Sequence, residues 1–279
     1  MGGGMARNLL AKGWPIAVYD VDSARVHELQ QLGAVALASS DDLKNRSTLS
    51  IICVVDATQT RDVLLGPCGL AKAMPLGHTV MLCPTLSPAD VEQFANELIP
   101  PGLNTIDAPM SGGPARAANG NMSLMVACAD HVFARHQSLI NALSNKVFRI
   151  SEKPGDGART KLVNNLLAAI NLLGAAEALA MARKMGLDLA KTLDVIEQSS
   201  GQSWIGSDRM RRALADDYEP RAHMTLLQKD TRLAVDAAQS AGFVGPLGTH
   251  ARDAFAQASH SGLALEDDAA LFKWLRDKA

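Results

Sequence analysis

Aromatic side chains are scarce, 4% of 279 residues, so stacking platforms for single-stranded nucleic acid are not expected. An excess of charge of one sign is missing too: 27 Lys and Arg against 29 Asp and Glu leave a net charge of −2 and no basic stripe for a phosphate backbone. Nucleic acid is therefore not an expected partner. Cysteine is sparse and unpatterned. Cys53, Cys68, Cys83 and Cys128 form no C-x-x-C and have no His paired beside them, which argues against zinc or a redox pair and fits a reducing, cytoplasmic compartment. The seven histidines show neither H-x-x-x-H nor H-E-x-x-H spacing, so no metal is expected. No charged segment followed by an apolar one opens the chain, and no secretory signal is expected. The one long apolar run, Leu162 to Ala182, is interrupted by Asn164, Asn165, Asn171 and Glu177; it reads as a buried helix of a soluble protein rather than a membrane span.

What is present is the balance of an ordinary globular protein, 47% apolar and 20% charged. At about 150 residues per domain the length predicts two domains. Up to about Ile150, strand-like and helix-like segments alternate. Met5 to Lys12 reads as a helix and Pro15 to Tyr19 as a strand. Ser23 to Leu32 follows as a helix with Ser23 as N-cap, and Ala34 to Leu37 as a further strand. Leu49 to Val55, Thr79 to Leu82, Thr105 to Asp107 and Ser123 to Ala127 read as strands, with a helix over Asp90 to Leu98. That rhythm predicts a doubly wound parallel sheet of Rossmann type over residues 1–152.

From residue 153 to 279 the segments Gly157–Lys184, Leu189–Gln198, Trp204–Ala213, Leu226–Ala241, Pro246–His260 and Asp267–Lys278 all read as helices, giving an all-α second domain. Pro154, Gly155 and Gly157 break the pattern at the boundary.

Four places concentrate chemistry. Met1-Gly-Gly-Gly-Met-Ala-Arg-Asn-Leu9 has the look of the tail of a dinucleotide-binding turn, with Gly2 as the third fingerprint glycine that lets a helix pack close. Asp20 ends the next strand, 18 residues on, where a carboxylate suits a ribose 2′-hydroxyl and repels a 2′-phosphate; it equally suits the opening of a turn. In Asp107-Ala-Pro-Met-Ser-Gly-Gly-Pro, Pro109 and the glycine pair force a turn. Ser111 and the N–H groups of Gly112 and Gly113 can there face one carboxylate. Lys161 and Asn165, four apart, share one face of a helix at the junction of the two expected domains, where a partly desolvated lysine can exchange a proton with a substrate hydroxyl. Lys229-Asp230 reads by itself as an ordinary surface pair.

Together these segments resemble the β-hydroxyacid dehydrogenase family over nearly the whole chain. The resemblance is carried by Met1-Gly2 with Met5-Ala-Arg-Asn-Leu9, by Asp107-Ala-Pro-Met-Ser-Gly-Gly113 through Gly120, by Gly155-x-Gly-x-x-x-Lys161-x-x-x-Asn165 and by Lys229-Asp230. The wording of Gly112-Gly-Pro-Ala-Arg-Ala-Ala-Asn-Gly120, Gln202-Ser-Trp204, Asp208-Arg-Met210, Asp217-Tyr-Glu-Pro220 and Glu266-Asp-Asp268 is most like the L-threonate dehydrogenase branch.

The resemblance implies hydride transfer between NAD, in preference to NADP, and a small hydroxy acid. Ser111, Gly112 and Gly113 would hold the substrate carboxylate, Lys161 act as general acid and base, and Asn165 orient the substrate. Gly2, Asp20, Thr85 and Lys229 would face the cofactor. It also implies a homodimer or homotetramer through the helical domain.

Three departures stand out. Pro84 replaces the Ser or Thr usual before Thr85, and Arg116 stands where a glycine is usual. The family's opening strand and first two fingerprint glycines are not in this sequence, which is read as a start assigned too far downstream rather than a truncated enzyme. Two rivals are an imine reductase on the same scaffold, which Lys161 argues against, and an inactive homologue serving as a dinucleotide-binding or interaction module.

Overall fold

A computed structural model describes residues 1–39, 41–43 and 47–278, and the chain divides into two compact units, Met1–Lys161 and Leu162–Ala279. The first unit opens with α1 (Gly2–Ala11), β1 (Ala17–Val18), α2 (Ser23–Gln31) and β2 (Val35–Ala36), and β1 and β2 pair in parallel as a separate two-stranded sheet. The helix α2 is capped by Asp22, whose carboxylate accepts from the Ala24 N–H; Ser23, expected as the cap, is the first helical residue. An Asp placed one residue earlier in extended backbone serves the orphan N–H groups better than a Ser already inside the turn.

The larger sheet is built from β3 (Leu49–Ile52), then after α3 (Ala57–Leu65) and α4 (Leu70–Ala73), β4 (Thr79–Leu82). The helix α5 (Pro88–Leu98) leads to β5 (Asn104–Asp107) and β6 (Met110–Ser111). After α6 (Gly113–Ala118) come β7 (Ser123–Ala127), α7 (Asp130–Leu143) and β8 (Lys146–Ser151). The order is β3-β4-β5-β7-β6, with β8 on the other side of β7.

This sheet is mixed rather than all parallel. While β3, β4 and β5 run parallel, β5 and β6 meet β7 antiparallel, at Asp107 with Ala127 and at Met110 and Ser111 with Leu124 and Ser123. The stretch from β5 to β6 keeps one register against β7 across Pro109, whose missing N–H cannot join a ladder but whose carbonyl accepts from Met125 N–H.

All four residues of β4 are buried. Along it Met81 packs on one face with Met5, Leu9, Ile140 and Leu143, while Val80 and Leu82 pack on the other with Leu64, Leu70, Phe94 and Leu98. Both faces are thus helix-covered, which is why the strand reads as a continuous apolar run.

Two histidines are buried beside this sheet: His78 Nε2 lies 2.9 Å from Ser50 Oγ, and His136 Nε2 2.8 Å from Thr79 Oγ1. Burial lowers both pKa values, with Arg135 adding to the effect. A histidine with a lowered folded pKa contributes stability that is complete above its unfolded value of about 6.5 and is lost as pH falls. The decrease in Tm between pH 7 and pH 5.5 should therefore be smaller in His136→Gln than in the unaltered protein, and an equal or larger decrease would refute that reading.

In the second unit the long α8 (Asp156–Lys184), which begins in the first, is followed by α9 (Leu189–Glu197) and α10 (Trp204–Leu214). Then come α11 (Met224–Ser240), α12 (Pro246–Ala258) and α13 (Leu271–Lys278). The expected all-helical pattern is found, although α12 ends two residues early in a wider turn over Ser259–Leu263, where Gly262 takes φ 93°. Ala169, Leu172, Ala176 and Leu179 of α8, spaced three and four apart, pack with Leu193, Met210, Leu227, Phe255 and Leu271.

By length and composition α8 could cross a membrane, with a mean hydropathy of 1.5, yet only 39% of that window is buried. The helix is expected from its sequence to be buried; one face is, while Val163, Leu167 and Met181 are exposed.

Candidate active site

The turn after β5, expected from the sequence to face a carboxylate, has a defined backbone shape. Ser111 ends β6, and Gly112 and Gly113 take φ values of 131° and 76°, which a residue with a Cβ adopts only under strain. The short α6 begins at Gly113 with Pro114 in its first turn and no side-chain cap, so its first N–H groups point toward the turn. Arg116 folds back over Gly112, where a Cβ would meet its Cδ at 2.8 Å.

Lys161 is buried at 6% exposure on α8. That helix starts without a local Ser, Thr or Asn; Gly155 precedes it at φ 103°. Its cap comes from Asp107 at the end of β5. The Asp107 Oδ2 accepts from the N–H groups of Gly155 at 2.8 Å and Ala158 at 3.1 Å, and Gly157 N–H adds a third bond. Gly157 is required there: a Cβ would lie 2.9 Å from the Asp107 carboxylate. Burial pushes the Asp107 pKa up to about 6, although the three N–H bonds pull it down. In the sequence Asp107 stands out only as the residue that opens the motif before Ser111. The available signal was a carboxylate at the end of a buried strand, which must find donors.

Around the beginning of α1, Gly2 is the first helical residue and lies against Cys53, whose Cβ a Gly2 Cβ would approach to 3.1 Å. Among the described residues no side chain caps α1 at its N-cap position, and the Gly2 N–H bonds the Cys53 thiol. The closest backbone approach belongs to Gly4 instead, where a Cβ would fall 2.8 Å from the Pro114 carbonyl oxygen of α6.

Asp20 lies two residues beyond β1, which is shorter than the strand expected over Pro15 to Tyr19, beside an open pocket of about 580 Å³ shared with Tyr19, Ser23, His27 and Leu37. One of its oxygens accepts from the Asp22 N–H at 3.0 Å, so Asp20 opens the turn and still presents its second oxygen. Thr85 is half-buried between β4 and α5. A helix start and one carboxylate beside an open pocket are features that suit the phosphates and adenosine ribose of a dinucleotide.

In the helical unit Asn165 and Lys229 join through Asp230, which its sequence context alone places on the surface. The Asn165 Nδ2 donates to Asp230 Oδ2 at 2.6 Å, and Lys229 Nζ lies 3.0 Å from Asp230 Oδ1. Asp230 is buried at 6% exposure, so the pair is not an ordinary surface pair. Its spacing on α11 was uninformative; the partner, Asn165, is 65 residues away. Among the described residues no group of three or more His, Cys, Asp or Glu could hold a metal.

Residues 1–151 match the NAD-binding domain of 6-phosphogluconate dehydrogenase, and residues 155–275 match the NAD-binding domain of NADP-dependent 3-hydroxyisobutyrate dehydrogenase. L-threonate dehydrogenase of Escherichia coli O6:H1 is 34% identical over 274 residues, covering 98% of this chain and 91% of that protein. Human mitochondrial 3-hydroxyisobutyrate dehydrogenase is 29% identical over 286 residues, covering 100% and 84%. The crystal structure of 3-hydroxyisobutyrate dehydrogenase from Salmonella typhimurium has a TM-score of 0.92 at 35% identity, covering 98% of this chain and 95% of that one.

The fold and these likenesses define a dinucleotide-binding oxidoreductase, a Rossmann-like unit followed by a helical one. The chain belongs to the β-hydroxyacid dehydrogenase family and is an NAD(P)-dependent dehydrogenase of the hydroxyacid type.

Proposed function

We propose that this enzyme oxidises a small hydroxy acid of the L-threonate or 3-hydroxyisobutyrate kind, or reduces the corresponding carbonyl compound, with NAD preferred to NADP. The observation that carries the reading is the common dependence on β5: it ends in the carboxylate that caps the helix bearing Lys161, and runs on to the turn Ser111-Gly112-Gly113. Ser111 Oγ and the N–H groups of Gly112 and Gly113 hold the substrate carboxylate. When bound, the nicotinamide supplies the hydride acceptor for oxidation and the donor for reduction. Lys161 Nζ takes the hydroxyl proton as the carbonyl forms, and returns it to the alkoxide in the reverse direction. Asn165, fixed by Asp230, orients the substrate from the same face of α8, and Lys229 faces the cofactor. Gly2 and Thr85 border the cofactor from α1 and the segment after β4. The reading includes a cytoplasmic enzyme that assembles as a homodimer or homotetramer, supported by the exposed Val163, Leu167 and Met181 of α8.

The test is dinucleotide reduction, followed by absorbance, with a panel of small hydroxy acids and both NAD and NADP. The unaltered enzyme should turn over a 3-hydroxy acid or L-threonate with NAD preferred, and Asp20→Asn should narrow that preference by about tenfold. Preference for NADP in the unaltered enzyme would overturn the role of Asp20. Inactivity on every hydroxy acid would overturn the reading as a whole.

A further inference from the structure

The start of α8 is held from outside its own sequence. Its first turn has three N–H groups, of Gly155, Gly157 and Ala158, converging on one buried carboxylate 48 residues or more upstream. Local residues are otherwise engaged: Asp156 accepts from Ser151 Oγ at 2.7 Å and from Arg159 at 2.8 Å. Lys161 stands one turn past the capped residues. Four residues after Asp107 on the same extended stretch is Ser111, and the register of β5 and β6 against β7 fixes that stretch at both ends.

We propose that Asp107 is a positioning residue, whose carboxylate pins the first turn of α8 to the strand that carries the substrate-binding turn, and so fixes Lys161 relative to Ser111. This rests on the reading of Lys161 as acid and base. The role is one of placement: Asp107 does not touch substrate. Its effect is exerted on the chemical step, because an ångström of drift at a proton-transfer atom weakens turnover more than it weakens binding. Gly157 belongs to the same device, since only a residue without Cβ lets the helix approach the carboxylate so closely.

The full-length enzyme and its variants Asp107→Ala, Asp107→Asn and Gly157→Ala test this by steady-state kinetics and by amide hydrogen exchange of peptides covering residues 155–165. Asp107→Ala should lower kcat by about 30- to 100-fold with both KM values within about threefold, while Asp107→Asn, whose amide oxygen still accepts, stays within about fivefold of the unaltered kcat. Gly157→Ala should act like Asp107→Ala, and the double variant should be no worse than either single one. Exchange should speed up at the start of α8 in Asp107→Ala and not in Asp107→Asn. An unchanged kcat, a loss seen only in KM, an Asn variant as poor as the Ala variant, or unaltered exchange would each overturn the proposal. If Asp107→Ala does not fold, the contrast between Asp107→Asn and Gly157→Ala decides in the same way. Should the unaltered protein oxidise no hydroxy acid, the dehydrogenase reading fails on its own. The placement is then judged by labelling of Lys161 with an amine reagent: faster in Gly157→Ala than in Asp107→Asn upholds it, equal rates overturn it.

Discussion

Replacing Lys161 with Ala lowers kcat for hydroxy-acid oxidation by about 100-fold or more, the scale of a lost general acid or base, while the KM for the dinucleotide changes little. The expectation follows from where the amine is. At 6% exposure it is not a solvated surface charge, and its helix is anchored through Asp107 to the strand that leads to Ser111. Lys161→Arg separates proton transfer from charge, because a guanidinium keeps the cation but does not deprotonate in a protein. It should be as poor as Lys161→Ala. An Arg variant that restores turnover would show that Lys161 acts only as a fixed positive charge, and near-normal turnover of the Ala variant would remove it from the chemistry.

The sequence was most legible where burial is complete. For Thr79–Leu82 and Ser123–Ala127 the expected and observed ends coincide, because strands with helices on both faces must be apolar throughout. Some helices went unread although their pattern was present. In α7, Val132, His136, Ile140 and Leu143 fall on one buried face at helical spacing, and a histidine in that stripe disguises it. In β8 exposure alternates at its start, but the apolar Phe148 stands at an exposed position and hides the alternation in the sequence. The antiparallel pairing of β7 with β5 and β6 was not readable at all, because strand direction is set by how the chain returns to the sheet and not by residue type.

The candidate site divides in the same way. The glycines and Ser111 announce themselves by type and spacing. Asp107 and Asp230 do not: each matters through a partner 48 or more residues distant, and single-sequence spacing holds no information about such pairs.

Asp267→Asn destabilises the helical unit by about 3–5 kcal/mol, or a Tm lower by on the order of 10 °C, whereas the same change at its neighbour Asp268 is mild. Both carboxylates are buried and both meet an arginine, Asp267 with Arg212 at 2.8 Å and Asp268 with Arg209 at 2.6 Å. Their surroundings differ. Burial pushes the Asp267 pKa upward, yet bonds from Arg212 and from the N–H groups of Arg221, Ala269 and Ala222 outweigh it and hold the pKa at about 2. For Asp268 burial wins over Arg209 and raises the pKa to about 6.

The signs are therefore opposite. Asp267 contributes stability that is present above its unfolded value of about 3.9 and lost as pH falls toward 2, so removing its charge at pH 7 forfeits the whole contribution. It also takes from Arg212 its short ion pair with Asp267 at 2.8 Å and leaves it the longer one to Asp208 at 3.6 Å. Asp268 contributes stability that is present below about 3.9 and lost as pH rises through 6, so its charge is held at a cost at pH 7 and an amide relieves it. Arg209 meanwhile keeps its ion pair with Asp208. Thermal melting at pH 7 and pH 5 measures both effects. Between those values the unaltered protein should gain on Asp268→Asn, because only the carboxylate takes up a proton. Equal losses from the two substitutions at pH 7 would show that the arginine pairs, and not the N–H groups around Asp267, set the balance in this cluster.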